Sequence, residues 1–360
     1  MHRIAATAAL IFCVLGPGWL QAGLYNTAEP PKGPAAAKVD IKAVPFSDFR
    51  DQLAELFTLG VPQPESPARA RTLEEIKRLE SRLRSGSATV DDQMNLGAYL
   101  IKVGRSAEAV DVLSRASALD RRNALLLATL GTAHQLEGRW GRAIDYLQQA
   151  MDVWPRELPG LTPQQLAWFR RAEEYQMKLA RLRAREALGS SASSSKPAES
   201  LDDLFGVRFV GAGGQYEAGQ MAMEQKKKLP PDAIAIVQQL LTWMPGDARL
   251  YWLLGELLNA QGDVGSAATV FDESAWTRRY DAPALREHRQ VVREAKAKAD
   301  ALLGTIESSP EEAQPGWRLD RRLIWIGAMV GGLVLGLLAY LQFREIRNRN
   351  QESGIRNQKS

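Results

Sequence analysis

Apolar residues recur three and four positions apart along most of the chain, and glycine or proline interrupts the runs at regular places. Between Asp91 and Asn123, two apolar-patterned segments of about a dozen residues flank Val103-Gly104-Arg105. The next stretch repeats that layout around Glu137-Gly138-Arg139. Each unit predicts two helices joined by a tight turn. Thr162-Pro163 supplies an N-cap and a first-turn proline for a long helix reaching Leu188, with Leu166, Phe169, Tyr175, Leu179 and Leu182 on one stripe. Phe46–Leu59 and Thr72–Arg84 predict two shorter leading helices, and Pro283–Leu303 a charged amphipathic one. Leu204–Gly214 has the local pattern of a short strand or extended arm.

The recurrence has a fixed period. Leu96-Gly97 returns as Leu130-Gly131, Gly104 as Gly138, Ala109 as Ala143, Leu113 as Leu147 and Ala116 as Ala150, each at an offset of 34, and Arg121 is matched by Pro155. A second block, 214–281, has Leu254-Gly255, Gly262, Ala267 and Phe271 in the same arrangement, with Ser274 and Arg279 at the positions of the small residue and the proline. One period before Ala267 stands Ala233. This spacing predicts a helix over Pro231–Trp243, with a degenerate first helix over Gln215–Lys227. Small residues at Gly97, Ala109, Ala116, Gly131, Ala143, Ala150, Gly255 and Ala267 allow close helix packing, and Pro155 ends its unit.

These positions resemble the tetratricopeptide repeat. The resemblance implies an all-α fold: helical hairpins in two blocks (an α-solenoid) closed by capping helices. In that family the first helix of each repeat lines a concave groove. Carried over by position, the groove residues would be Met94, Ala98, Ile101 and Lys102, then Leu125, Ala128, Thr132 and Gln135, and in the second block Arg249, Trp252, Glu256 and Asn259. Some members clamp a C-terminal carboxylate with Lys and Asn. Met94 and Ala98 stand at those positions here, so the implied occupant is instead a helix or extended peptide of another protein, the alternative being that these residues only pack against a capping helix or a partner subunit.

The two ends carry a different pattern. Met1-His2-Arg3, the apolar run Ile4–Leu15 and a small residue at Ala22 have the layout of a secretory signal over 1–22. Leu323–Phe343 is twenty-one residues without a charge, long enough to span a bilayer as a helix. The tail 344–360 is basic, which places it in the cytoplasm and the preceding chain outside it. Gly327 with Gly331, and Gly332 with Gly336, give the small-residue spacing of a dimerising membrane helix. The expected organisation is signal 1–22; a disordered Pro-rich segment 23–45; leading helices 46–89; a first block with its cap 90–188; a Ser-rich linker 189–200; a second block with its cap 201–304; a stalk 305–322; the membrane helix 323–343; and the tail 344–360.

Composition narrows the chemistry. The only cysteine, Cys13, lies in the signal, so if that stretch is removed the mature chain has neither a disulfide nor a thiol nucleophile. The net charge of +4 is carried by the termini: the tail contributes +3 and Arg3 another +1, so residues 4–343 sum to zero. A nucleic-acid binder would concentrate charge on its folded part. Of three histidines, His134 takes a packing position and His288 lies in a charged, solvated helix. Gly211-Ala-Gly213-Gly214 lacks the Lys-Ser/Thr of a phosphate loop, and the pairs Asp91-Asp92 and Asp202-Asp203 precede helices, where acids favour the dipole. No cofactor or metal is expected. The expectation is a non-enzymatic interaction scaffold of the cell envelope, or alternatively an accessory subunit of a membrane enzyme or secretion complex.

Overall fold

The computed structural model describes residues 26, 29, 31–62, 66–192 and 201–308. The signal, residues 193–200 of the Ser-rich linker expected over 189–200, and the membrane helix with Gly327, Gly331, Gly332 and Gly336 lie outside them, and residues 189–192 of that linker are helical instead. Among the described residues there are twelve α-helices and no strand, and no helix is long and apolar enough to cross a membrane. The chain divides into two units, Met1–Asp300 and Ala301–Ser360, and the hydrophobic core belongs to the first.

Two leading helices, α1 (Phe46–Gly60) and α2 (Pro67–Arg84), precede the pairs α3 (Val90–Lys102) with α4 (Ser106–Leu119) and α5 (Ala124–Leu136) with α6 (Trp140–Asp152). The long α7 (Pro163–Ala192) packs on α6. After it come a four-residue turn of helix, α8 (Met223–Lys226), then α9 (Ala233–Trp243), the pair α10 (Ala248–Ala260) with α11 (Val264–Trp276), and α12 (Arg286–Ser308). The degenerate helix expected over Gln215–Lys227 is reduced to α8, and Leu204–Gly214 forms no strand. Bends and turns occupy that stretch, anchored by buried Leu204 and by the Ala222 amide donating to the Val210 carbonyl at 2.8 Å.

Local chemistry sets the boundaries. Thr89 and Asp92 form a reciprocal capping box at the start of α3. Asn123, Asp247 and Asp263 accept from the third amide of α5, α10 and α11. The first helix of each pair ends in the same way. A glycine with positive φ (Gly104, Gly138, Gly262) follows the last turn, and its amide and the next one donate back to two helix carbonyls. The 2.8 Å bond from Arg105 to Leu100 is repeated at 2.9 Å from Arg139 to His134 and at 3.0 Å from Asp263 to Leu258.

The small residues sit where the two helices of a pair touch. A Cβ added at Gly97 would come within 2.5 Å of the Leu113 side chain, one at Gly131 within 2.8 Å of Leu147, and one at Gly255 within 2.5 Å of Phe271. Ala109, Ala116, Ala143, Ala150 and Ala267 are buried beside them, and Pro155 lies in the loop after α6.

Both blocks belong to one compact unit with one continuous core. α9 packs against α1 and α7 as well as α10. Trp168 Nε1–H on α7 donates to Gln239 Oε1 on α9 at 3.1 Å, Arg171 holds Asp232 with two hydrogen bonds, and Arg50 on α1 pairs with Glu273 on α11. α12 docks through buried Val292 and through Arg289 and Arg293 on Asp272 of α11.

Candidate functional site

The face expected to form an open groove is covered by the chain itself. Met94, Ala98, Ile101, Lys102, Leu125, Ala128, Thr132, Gln135, Trp252, Glu256 and Asn259 are buried, and Arg249 is half-buried. On α5, Gln176 of α7 donates to Thr132 Oγ1 at 2.8 Å and to Gln135 Oε1 at 3.2 Å. In the second block, Trp252 is packed between Phe271 and Tyr280, Asn259 is bonded to the backbone of Glu217 and Gly219, and Arg249 pairs with Glu186 and Asp202. At these positions the side chains pack against the chain's own elements, the capping helix α7 among them. Every residue of α9 and all but the last of α5 are buried, so both helices are covered on every side and their Thr and Gln side chains find partners there.

The rest of the cover comes from the N-terminal segment, whose composition predicts disorder. Asn26, Glu29 and residues 31–38 form a tongue across the ends of α3, α9 and α7. Asn26 hydrogen-bonds Tyr99, whose hydroxyl burial pushes up to about 12. Glu29 pairs with buried Lys102; burial pulls that ammonium below the usual lysine range, and the carboxylate opposes the pull. A 3-10 turn, Gly33–Ala36, then lies against α9 and α7 with Gly33, Pro34 and Ala35 buried.

Side chains hold this segment mainly by its backbone. The Gly33 amide donates to Gln52 Oε1 at 3.3 Å, Gln165 Nε2 donates to the Ala35 carbonyl at 2.9 Å, and Thr162 Oγ1 donates to the Lys38 carbonyl at 2.8 Å. Further on, Gln238 on α9 accepts from the Val44 amide and donates to its carbonyl, both at 2.8 Å. Thr162 and Gln165 also form the capping box that starts α7. Sequence reasoning finds that cap but not its second task. Glutamines bonded to a backbone leave no periodic pattern.

The covered face leaves cavities at its two ends. One of ≈ 500 Å³ lies among α1 and the C-terminal ends of α3, α5 and α9, with Leu56, Phe57, Ile101, Lys102, Leu136 and Trp243 in its wall. Another, of ≈ 450 Å³, lies at the starts of α3 and α5, bounded by Met94, Leu125, Val153, Pro155 and Leu158. Four of the twelve expected groove residues thus border open space. A third cavity, ≈ 640 Å³, adjoins the first across Phe57 and Val61 and is walled by Tyr251, Glu273 and Arg278.

Two polar clusters are buried between elements. Arg183 of α7 bridges Asp202 and Asp247, and Arg249 adds a second cation on Asp202. Burial lifts the Asp202 carboxyl above the usual range, and the two arginines offset only part of that. Burial also acts on Asp247, but Arg183 and the Leu250 amide hold it below the usual range. Asp202 precedes no helix; the expectation that it completes a helix dipole is replaced by this ion cluster.

The second cluster corrects the assignment of His288 to a solvated helix. Its ring stacks on Tyr216 at 3.6 Å, and its Nδ1 lies 2.7 Å from Oε1 of fully buried Glu256, which also accepts from Trp252 Nε1–H. His134 is buried and stacked on Tyr146 at 5.3 Å, as its packing position implied. Among the described residues, no group of His, Cys, Asp and Glu could hold a metal ion. No protein-family model matches the chain, and no curated protein matches it.

Proposed function

We propose that the protein is a non-catalytic, tetratricopeptide-like interaction scaffold of the cell envelope. In this reading Leu323–Phe343 tethers it to the cytoplasmic membrane, the helical unit stands outside the cytoplasm, the basic tail lies inside, and the bound partner is another protein. The observation that carries the reading is the threefold recurrence of one packing contact. Gly97 on Leu113, Gly131 on Leu147 and Gly255 on Phe271 are each a glycine against an apolar side chain sixteen residues on, and each first helix ends in the same glycine turn. Repeated hairpins of this kind build extended surfaces rather than enclosed reaction centres.

The cavities at the two ends of the covered face are the surfaces such a partner would use, since both expose apolar side chains beside a few charges. The test is photocrosslinking in cells, with a photoreactive residue at Leu136 in the first cavity, at Leu158 in the second, and at exposed Arg78 on α2 as control. The expected result is one partner protein, recovered from detergent-solubilised membranes, joined at a cavity position and not at the control. Recovery of the chain in the soluble fraction, or identical adducts at all three positions, would overturn the reading.

A further inference from the structure

We infer that the tongue occupies a binding site for a polypeptide segment carrying a Gly-Pro 3-10 turn, and that the site's external ligand is a partner segment with the tongue's own chemistry: an acidic residue followed by Gly-Pro and small residues. The inference rests on the scaffold reading above and identifies the class of partner.

Four features of the contact point to recognition rather than core packing. The tongue is fixed chiefly through its backbone, by Gln52, Gln165 and Thr162, so the site reads the path of the chain through its 3-10 turn more than its side chains. One charge selects: buried Lys102 takes the Glu29 carboxylate. One shape selects: Gly33 has φ +66°, and a Cβ there would lie 2.6 Å from Thr242 Oγ1, so only glycine seats at that point. Among the tongue's described residues the apolar anchorage is also small: Ala35 joins the hydrophobic core, with Pro34 and the polar Asn26 also buried. Opening such a segment gives up little apolar burial, and its main cost is the Glu29–Lys102 pair and the Asn26–Tyr99 bond.

The link to α1 favours release. Val39, Asp40 and Lys42 are exposed, and Asp40 adopts the left-handed conformation at φ 57°. Opening at this bend frees the tongue while the Gln238 clamp on Val44 still holds the chain to α9. The cavity beside Lys102 and Thr242 gives an incoming segment a point of entry.

The test uses the full chain and a fluorescent peptide of sequence 26–38 as the probe. In the wild-type chain the resident tongue competes, so the peptide binds weakly. Gly33→Val and, independently, Glu29→Lys unseat the resident tongue, and each is expected to tighten peptide binding roughly tenfold, the reciprocal of the competent fraction in the closed chain. A peptide carrying Gly33→Val is expected not to bind either variant. Variants that keep their helical circular dichroism yet bind the peptide no tighter than wild type would overturn the inference. So would loss of that helical signal, which would make the tongue part of the core, or a wild-type chain that exchanges tongues between copies as a dimer. None of these outcomes bears on crosslinking at Leu158, which borders the cavity at the other end, so the scaffold reading stands or falls separately there.

Discussion

Single atoms decide several contacts. At Gly131 a Cβ would lie 2.8 Å from the Leu147 side chain and 3.3 Å from the Ala143 carbonyl, so the helices of the second pair approach as closely as glycine permits. Gly131→Ala is expected to cost about 1–3 kcal/mol through overpacking. Leu147→Ala alone opens a cavity and costs about 2–5 kcal/mol. Combined, the two should be less damaging than their sum by about 0.5–3 kcal/mol, a coupling that urea denaturation of the four chains measures. His134 makes a pH-dependent contribution. Burial, then Arg139 and Arg142, holds its pKa below the ordinary histidine value. The unfolded chain therefore takes up that proton more readily, and the contribution, present above the ordinary value, is lost as pH falls through it toward the folded one. His134→Gln should flatten the decline in stability between about pH 7 and pH 5; an unchanged slope would mean that the ring is protonated in place.

At the scale of elements, the period of 34 determines which glycines and alanines lie between paired helices, because a close helix contact admits only small residues. The covered face could have been anticipated as well. ALLLATLGTAHQL in α5 and AIAIVQQLLTW in α9 carry no Asp, Glu, Lys or Arg, and a helix of that kind has no charged side to offer solvent. The tongue was not legible. Prolines, glycines and alanines without periodicity have the composition of disorder, and the groups that order this stretch are amides and hydroxyls far away in sequence. The ion cluster was hidden for the same reason, since Arg183, Asp202, Asp247 and Arg249 belong to no local motif. It nevertheless ties α7 to the start of α10. Arg183→Met strips two buried carboxylates of their principal cation and is expected to destabilise the unit by about 3–5 kcal/mol in denaturant titration. A loss below about 1 kcal/mol would show that Arg249 alone satisfies both, as at an exposed pair.

At the scale of the molecule, the two expected blocks form one body because α9, the first helix of the second block to be well formed, is wrapped by α1, α7 and the tongue. Among the described residues the chain covers the face that an open repeat array would leave free, and cavities border that face at its ends. That self-covering is the central claim, and the Glu29–Lys102 pair marks it most directly. Zero-length carbodiimide coupling of the full chain, prepared as a mixture of isotopically labelled and unlabelled copies, followed by peptide mass spectrometry, tests it. The expected product joins Glu29 to Lys102 in peptides of one isotopic kind. No such link, or one joining labelled to unlabelled chains, would contradict the account.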